Sequence, residues 1–401
     1  MIKYALSTSK LGVIYGCFWK IYCRYTGNGR INVVALATLA ATGAFAQTSV
    51  TLYGTIDAGV ASFKNVGNGT QSMSVLTDGA LSSSVWGLRG SEDLGGGMKA
   101  NFNVESDLSM NNGTTSGTSF WRRASNVGLS GNFGAIDFGV KLNPVIAVNS
   151  VLMTTAGNSV STMTSAALNF SDFYTRNAIT YTSPDMGGFV VQGQTGLSQS
   201  VNSSSAGSMN AISVAYTNGP LEARIATQNR TGAAAGLANS GANATAAATA
   251  SGDKKTTIAG VKYTMGPLQV AAASYNNEYN TGPGATPMTQ VRGTGLSASY
   301  QLNGQTKVGA ARIASEGSTL LHAQVRYELS KRSQLYAIYG AADNAATPGP
   351  VKFWPYAANT NTVTGSATTP TVGIWDGGTP GTGGLNSVKA TAIGGGIIHT
   401  F

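Results

Sequence analysis

The stretch Trp121–Pro144, WRRASNVGLSGNFGAIDFGVKLNP, predicts one tight β-hairpin that leads into a long polar segment. Gly131-Asn-Phe-Gly134 supplies the turn, and apolar side chains at every second position from Ile136 to Val140 alternate with small or charged ones. One face of the second strand is therefore apolar, whereas the other carries Asp137 and Lys141. Such a two-faced hairpin is typical of a wall between an apolar phase and water.

The composition points to the same two-sided environment. The chain of 401 residues includes 53 Gly, and only 10% of its residues are charged. A soluble globular protein carries about 25% charged residues. Low charge with abundant Gly, Ser, Thr and Asn fits antiparallel strands that face lipid on one side and water on the other. The composition therefore favours a membrane β-barrel over a soluble globule.

The first 46 residues predict a leader that is removed. Ile31–Ala46, INVVALATLAATGAFA, is an apolar stretch of 16 residues that follows three basic residues and ends in a small-x-small cleavage signature. It is shorter than the roughly 20 residues that a membrane-spanning helix needs. We expect residues 1–46 to be an N-terminal extension plus a cleaved signal peptide, and residues 47–401 to be the mature barrel domain.

Cleavage at this point would leave a chain with little capacity for metal or nucleic-acid binding. It removes both cysteines, five of the 25 basic residues and none of the 16 acidic ones, so the net charge falls from +9 to +4. Without cysteine there is no disulfide framework or thiolate site, and the basic charge that would favour nucleic acid is mostly lost. His322 and His399 lie on separate predicted strands without a carboxylate pair. We expect no cofactor, no metal, no nucleic-acid partner and no enzymatic activity.

About sixteen runs along the mature chain show apolar and polar residues at alternating positions, the pattern of a β-strand with two different faces. In the clearest case, Leu321–Leu329, Leu, Ala, Val and Tyr alternate with His, Gln, Arg and Glu. Short turns alternate with long, low-complexity connections, which are predicted at 64–81, 107–118, 142–172, 197–209, 230–253, 277–292 and 343–385.

This pattern predicts an all-β fold, a transmembrane antiparallel up-and-down β-barrel of about 16 strands. Closure into a barrel satisfies the backbone hydrogen bonds in lipid, and the short turns are expected in the periplasm with the long loops outside. A soluble all-β adhesin is the alternative, because its strands also alternate.

The segment after the hairpin indicates a constriction. Residues 142–171 contain no Asp, Glu, Lys or Arg. If this segment folds into the lumen, the basic residues of the wall face few carboxylates, and the field there favours anions. The predicted constriction residues are Arg122, Arg123, Lys141 and Arg176. Alternation places Arg122 and Arg176 inward and Arg123 outward; alternatively, Arg122 and Arg123 anchor the outer end of a strand at the membrane interface.

Five ordered motifs resemble the general diffusion porins of Gram-negative bacteria, most of all the betaproteobacterial type. They are QTSVTLYGTIDAGV at Gln47, WGLRGSEDLGGGMKANFNVES at Trp86, RRASNVGLSGNFG at Arg122, RNAITYTSPDMGGF at Arg176 and the terminal GGGIIHTF. The resemblance covers residues 47–401 in strands and turns but not in the outer loops.

The resemblance implies a sixteen-stranded homotrimeric barrel in the outer-membrane lipid, with its long third loop folded into the lumen. It implies passive diffusion of small hydrophilic solutes and ions, and a C-terminal Phe401 that the outer-membrane assembly machinery reads. The family's wall arginines match Arg123 and Arg176, so a bulge is expected near Arg123.

Departures from the family pattern weaken the predicted ion filter. Val85 and Val140 stand where relatives often carry Arg, and the third loop lacks an acidic motif. We therefore expect a weak anion preference, with a solute-specific channel as the alternative.

Overall fold

The computed structural model describes residues 49–66, 71–110, 112–115, 119–152, 173–198, 207–232, 253–279, 289–315, 317–343 and 389–401. All of them belong to the compact unit 47–401, and the predicted leader 1–46 lies outside the described residues. The strands are β1 (Ser49–Val66), β2 (Gln71–Asp78), β3 (Val85–Gly95), β4 (Met98–Asp107), β5 (Ala124–Gly131), β6 (Gly134–Leu142), β7 (Tyr174–Thr182), β8 (Phe189–Gly196), β9 (Met209–Asn218), β10 (Leu221–Arg230), β11 (Lys254–Met265), β12 (Leu268–Tyr279), β13 (Thr289–Gln301), β14 (Thr306–Ser315), β15 (Ser318–Glu328), β16 (Ser333–Asp343) and β17 (Lys389–Thr400). A helix, α1 (Pro144–Leu152), follows β6.

These strands form one antiparallel sheet that closes on itself. β2 pairs with the second half of β1 and β3 with its first half, so β2 and β3 together make one barrel strand that residues 79–84 interrupt. β17 pairs with the other edge of β1. At this seam Phe401 N donates to Gly54 O at 3.0 Å, and Gly54 N donates to Phe401 O at 3.1 Å. The predicted barrel of 16 strands is therefore confirmed, and no edge is left open in this sheet.

Side chains alternate between an apolar outer face and an inner face. On β15, Leu321 and Val325 are 49% and 44% exposed on the outside, whereas His322 and Gln324 are buried on the inside. Exposed aliphatic side chains recur on the outer faces of other strands, including Val60 at 65% and Ile393 at 64%. An apolar outer surface of this extent suits lipid and argues against the soluble adhesin alternative.

The connections fall on two rims. One rim, called here the short-turn rim, carries turns such as Gly95–Gly97 and Gly131–Gly134, as predicted. The opposite rim, the long-loop rim, carries the long connections. Two differences from the predicted loops occur on it: most of the predicted loop 64–81 is strand, because β2 pairs with β1, and β14 and β15 are joined by only two residues, 316–317.

Within the described residues, no helix is both long enough and apolar enough to cross a membrane.

Candidate functional site: the pore lumen

The third long connection, between β6 and β7, begins inside the barrel. Asn143 caps α1, since its Oδ1 accepts a hydrogen bond from Val145 N at 2.9 Å, and Pro144 takes the first helical position. The Asn143 amide also donates to Gln228 Oε1 on the inner face of β10. The described start of the loop thus reaches β10, which is not a neighbour of β6 in the barrel. This confirms inward folding for residues 143–152; residues 153–172 lie outside the described residues.

α1 packs on an apolar patch of the inner wall. Val145 and Val148 are buried in a cluster with side chains from β10 to β16. The members from the wall are Ala226, Ile258, Ala273, Tyr275, Val291, Ala311, Ile313, Leu320 and Ala342. The inner wall is therefore not polar throughout, because α1 shields this sector from the water of the lumen. This helix was not predicted from the sequence, although Asn-Pro followed by apolar residues at 145, 146 and 148 is a helix-start signal.

A network of ion pairs lines the wall formed by β4, β5 and β6. Arg122 Nε donates to Asp107 Oδ2, and both side chains are almost fully buried. Arg123 Nε lies 2.6 Å from Glu105 Oε1, and its Nη1 lies 3.1 Å from Asp107 Oδ1. Lys141 Nζ donates to Asp137 Oδ2. We call these six residues the ion-paired wall; its three cations contact three carboxylates directly.

Two aromatic rings support the neighbouring cations. The Arg123 guanidinium carbon lies 5.3 Å from the centroid of the Tyr174 ring, and that of Arg89 lies 5.0 Å from the Tyr53 ring. Tyr53 in turn donates to Glu105 Oε2 at 2.9 Å. Cation–π contacts and shared carboxylates fix the direction of these long side chains. A lumenal cavity of about 580 Å³ is lined by Arg89, Glu105, Arg123 and Tyr174, together with residues of neighbouring strands.

The positions of the predicted constriction residues differ in part from the expectation. Arg123 was predicted to point outward, but its side chain reaches the lumenal carboxylates. The prediction from alternation is wrong because β5 begins at Ala124, so residues 122 and 123 precede the strand. The expected bulge does not occur there, since the pairing of β4 with β5 runs without a shift. A register shift occurs instead between β6 and β7, at Gly139/Lys141.

Arg176 is separate from the ion-paired wall. It lies on β7 beside Asn177, which has a positive φ of 48°, and its Nη2 donates to Ser119 Oγ at 3.4 Å. The structure therefore brings Arg122, Arg123 and Lys141 to one wall, while Arg176 contacts the connection between β4 and β5.

The expectation that the basic residues face few carboxylates is also wrong. The loop supplies no acid between residues 142 and 171, but the wall itself supplies Glu105, Asp107 and Asp137. The signal that could have found them is the alternation of β4, where Glu105 shares a face with Asn101 and Asn103.

A second charged cluster lies on the inner faces of β10, β11, β14 and β15, towards the short-turn rim. Glu222 contacts Arg224 Nη2 at 2.6 Å and Lys262 Nζ at 2.5 Å. Lys307 donates to the neutral Gln269 Oε1 at 3.0 Å. In the pairing of β14 with β15, Lys307 lies directly opposite Arg326. We call Arg224, Lys262, Lys307, Arg326 and Glu222 the basic patch. It combines four cations with one carboxylate, and two further acids act on its cations: Glu328, near Lys307, and Asp57, near Arg326.

This fold and lumen define a class of protein: a closed transmembrane β-barrel with a charged, polar lumen that a loop narrows from within. Comparisons with known proteins identify the family. Residues 33–347 match the family model described as Gram-negative porin. The chain belongs to the Gram-negative porin family.

Individual relatives agree with this assignment. Outer membrane porin protein 32 of Delftia acidovorans is 32% identical over 321 residues, which cover 76% of this chain and 87% of that protein. An outer membrane porin protein of Bordetella pertussis is 32% identical over 225 residues, covering 48% of this chain and 58% of that protein. Among solved structures, the anion-selective porin from Comamonas acidovorans matches with a TM-score of 0.69 and 22% identity, over 88% of this chain and 100% of that one.

The chain is thus an outer-membrane porin, and it provides a non-enzymatic route for passive diffusion of small hydrophilic solutes across the outer membrane.

Proposed function

We propose that the channel has a weak anion preference and that the basic patch supplies much of it. The observation that carries this proposal is the surplus of cations around Glu222. Opposite charges in direct contact cancel at the distance of a passing ion, so the ion-paired wall adds little net field. Unbalanced cations in a narrow, low-dielectric lumen attract anions and repel cations.

The constriction itself is part of the same proposal. Arg122, Arg123, Lys141 and Arg176 line the narrowed lumen on the side opposite the wall on which α1 packs, and the first three do so as ion pairs. Their role is chiefly to shape the passage, because three of them are held rigidly by carboxylates.

Reversal potentials in planar bilayers test the selectivity. With a gradient of potassium chloride across the bilayer, the channel should pass chloride more readily than potassium, and the preference should shrink as ionic strength rises because screening increases. A preference for potassium would reject the proposal. A solute-specific channel would instead show a conductance that saturates or is blocked at low concentrations of its solute.

We further propose a homotrimer whose contact face lies on β17, β1, β2 and β3. Exposed tyrosines, which favour the lipid–water interface, lie near the short-turn rim on other strands: Tyr181, Tyr263, Tyr300 and Tyr327. Among the described outward positions of β17, β1, β2 and β3 there is no tyrosine. Most of those positions carry aliphatic residues and glycines, for example Val50, Leu52, Gly54, Leu76 and Ile397, with Trp86 on β3 and Lys64 on β1 among the exceptions. A sector that another protomer covers needs no interfacial tyrosines.

Sedimentation of the refolded protein in neutral detergent tests this state. A trimer mass is expected, and a monomer at every protein concentration would reject it. A solved relative by fold, OmpT from Vibrio cholerae, is described in a trimer form.

Two proposals concern biogenesis. Residues 1–46 are removed, so the intact mass of the mature protein should correspond to a chain that begins at Gln47.

Phe401 is recognised by the outer-membrane assembly machinery; its exposed ring, at the barrel seam beside Gly54, supports this role. Deleting Phe401 should lower the amount of folded barrel in the outer membrane. Phe401→Tyr, which keeps an aromatic ring at the C-terminus, should leave most of that amount in place.

A further inference from the structure

The interruption between β2 and β3 contains more residues than the gap in the barrel strand requires. β2 ends opposite Ala58 and β3 begins opposite Thr55, so six residues, 79–84, stand opposite the two residues between them. Two residues would continue the strand, so four are in excess. Such an excess leaves the plane of the sheet, and Gly79, with a positive φ of 76°, begins the departure. We call residues 79–84 the inward turn.

One buried residue of β1 holds the inward turn against the inner face of the barrel. Leu81 N and Ser82 N each donate to Asp57 Oδ2 at 2.7 Å. Gly79 N donates to the main-chain oxygen of Asp57 at 3.0 Å, and Asp57 N donates to Ser84 Oγ at 3.0 Å. The beginning, middle and end of the turn are therefore all attached to Asp57, which is fully buried.

A tyrosine from the far side of the barrel seam completes this attachment. Tyr336 Oη donates to Asp57 Oδ1 at 2.6 Å, although β17 lies between β16 and β1. The Tyr336 ring can lie across the wall because the residues beneath it are glycines. A Cβ atom at Gly59 or Gly396 would come within 2.9 or 2.5 Å of Tyr336 Oη. The Asp57 carboxylate thus joins the turn to β16 across the inner face of β17.

Apolar packing fixes the inward turn on the same sector of the wall. Ala80 and Leu81 are fully buried in a cluster with side chains from β1, β16 and β17. The members from the wall are Ala61, Phe63, Tyr336, Ile338, Ala392 and Ile398. Ser82 and Ser83 stay partly exposed. The turn therefore occupies lumenal space in front of these three strands and presents serine residues to the pore.

The inward turn and α1 cover neighbouring sectors of the inner wall. α1 packs in a cluster with side chains from β10 to β16, and the turn packs on β16, β17 and β1. The ion-paired wall on β4, β5 and β6 lies on the remaining side, next to the lumenal cavity of about 580 Å³.

We propose that the inward turn is a second constriction element, which narrows the water-filled path from the side of β1 and limits the size of the solutes that pass. Together with α1, it confines this path to the side of the ion-paired wall. Residues 79–84 are Gly, Ala, Leu and Ser, so the turn brings no charged side chain of its own. It therefore restricts solutes by size rather than by charge.

Liposome swelling with neutral sugars tests this role, because the permeation of neutral sugars does not depend on lumenal charge. Deleting residues 80–83 removes the four excess residues and lets β2 continue into β3 in one register. The rate of entry of a trisaccharide relative to a monosaccharide should rise about threefold, and single-channel conductance should rise with it. An unchanged ratio in a barrel that keeps its heat-modifiable folded form would overturn the proposal.

Two tryptophan variants act in the opposite direction and leave the backbone intact. Ser82→Trp and Ser83→Trp, made separately, add bulk where the turn is partly exposed. At least one of them should lower the trisaccharide-to-monosaccharide ratio about threefold. Opposite effects of the deletion and of the added ring cannot both arise from a general loss of stability.

Ser330→Trp is the matched control, since it adds the same ring at an exposed serine of the short-turn rim. It should leave the sugar ratio unchanged. If neither variant of the inward turn lowers the ratio, or if the control lowers it equally, the turn does not limit solute size.

Discussion

The ion-paired wall and the basic patch face the same lumen but handle their cations differently. In the ion-paired wall each cation contacts a carboxylate, and Arg122 with Asp107 is buried to 3% and 4% exposure. In the basic patch Arg224 and Lys262 share Glu222, and their side chains are 26% and 19% exposed. The first region is a rigid, nearly neutral lining; the second presents net positive charge to the water of the pore.

From this difference we expect that the number of arginines near a constriction does not by itself determine its ion selectivity. A buried charge pair costs desolvation free energy and is retained where it fixes geometry, whereas exposed cations in excess create a long-range field. The four predictions below test this division, from the largest expected effect to the smallest.

The largest effect is expected from Asp107→Asn. It removes the carboxylate that contacts both Arg122 and Arg123, and the Arg122 side chain is almost fully buried. Breaking one side of a buried pair costs about 3–5 kcal/mol. The temperature at which the folded band converts to the unfolded band in gels should fall by on the order of 10 °C.

Asp137→Asn is the matched control, because its partner Lys141 is 31% exposed and can reach water. Its cost should be about 1 kcal/mol or less. Equal destabilisation by the two variants would contradict the view that burial of the Arg122 pair makes Asp107 structural.

The second prediction concerns the basic patch. Lys262→Gln/Lys307→Gln/Arg326→Gln should lower the chloride-to-potassium permeability ratio roughly threefold to fivefold. Each charge a few ångströms from a passing ion contributes several tenths of a kcal/mol in water before screening. Reversal potentials measure the ratio.

The control for this triple variant is Lys64→Gln/Lys255→Gln/Lys389→Gln, which removes three exposed cations from the outer face of the long-loop rim. It should leave the ratio almost unchanged. If both triple variants shift the ratio equally, selectivity follows net charge rather than the lumenal patch.

The third prediction neutralises two residues of the predicted constriction. Arg123→Gln/Arg176→Gln should lower the same ratio by roughly twofold, since two positive charges leave the lumen and Glu105 loses its closest cation. An unchanged ratio would remove both residues from the selectivity mechanism.

The sequence predicted the barrel because period-two alternation is a local property that survives in every strand. The resemblance to porins implied that the third loop folds inward, and residues 143–152 confirm this. The interruption of one barrel strand at 79–84 was not predicted, because there the backbone turns inward: Leu81 N and Ser82 N each donate to Asp57 Oδ2 at 2.7 Å. A partner 24 residues away leaves no periodic signal in the chain.

The candidate site was less predictable for the same reason. The face on which Arg123 lies depends on where β5 begins, and an error of one residue in that boundary reverses the result. The carboxylates that neutralise Arg122 and Arg123 come from β4, so their effect depends on cross-strand contacts that composition does not reveal. The basic patch likewise forms only when β10, β11, β14 and β15 come together.

The smallest effect is expected when a matched pair is removed from the ion-paired wall. Glu105→Gln/Arg123→Gln takes away both members of a 2.6 Å contact and leaves the net charge unchanged. To an ion several ångströms away, the pair is a dipole whose field falls faster with distance than that of a single charge, so the permeability ratio should change by less than about a third.

Stability should change little as well, because removing both partners of a pair avoids an uncompensated buried charge. Reversal potentials of this double variant and of each single variant complete a thermodynamic cycle. The singles should shift the ratio in opposite directions, with Glu105→Gln raising anion preference and Arg123→Gln lowering it. If the double variant instead lowers the ratio as far as the triple variant of the basic patch, the ion-paired wall is the selectivity filter, and the distinction between the two regions fails.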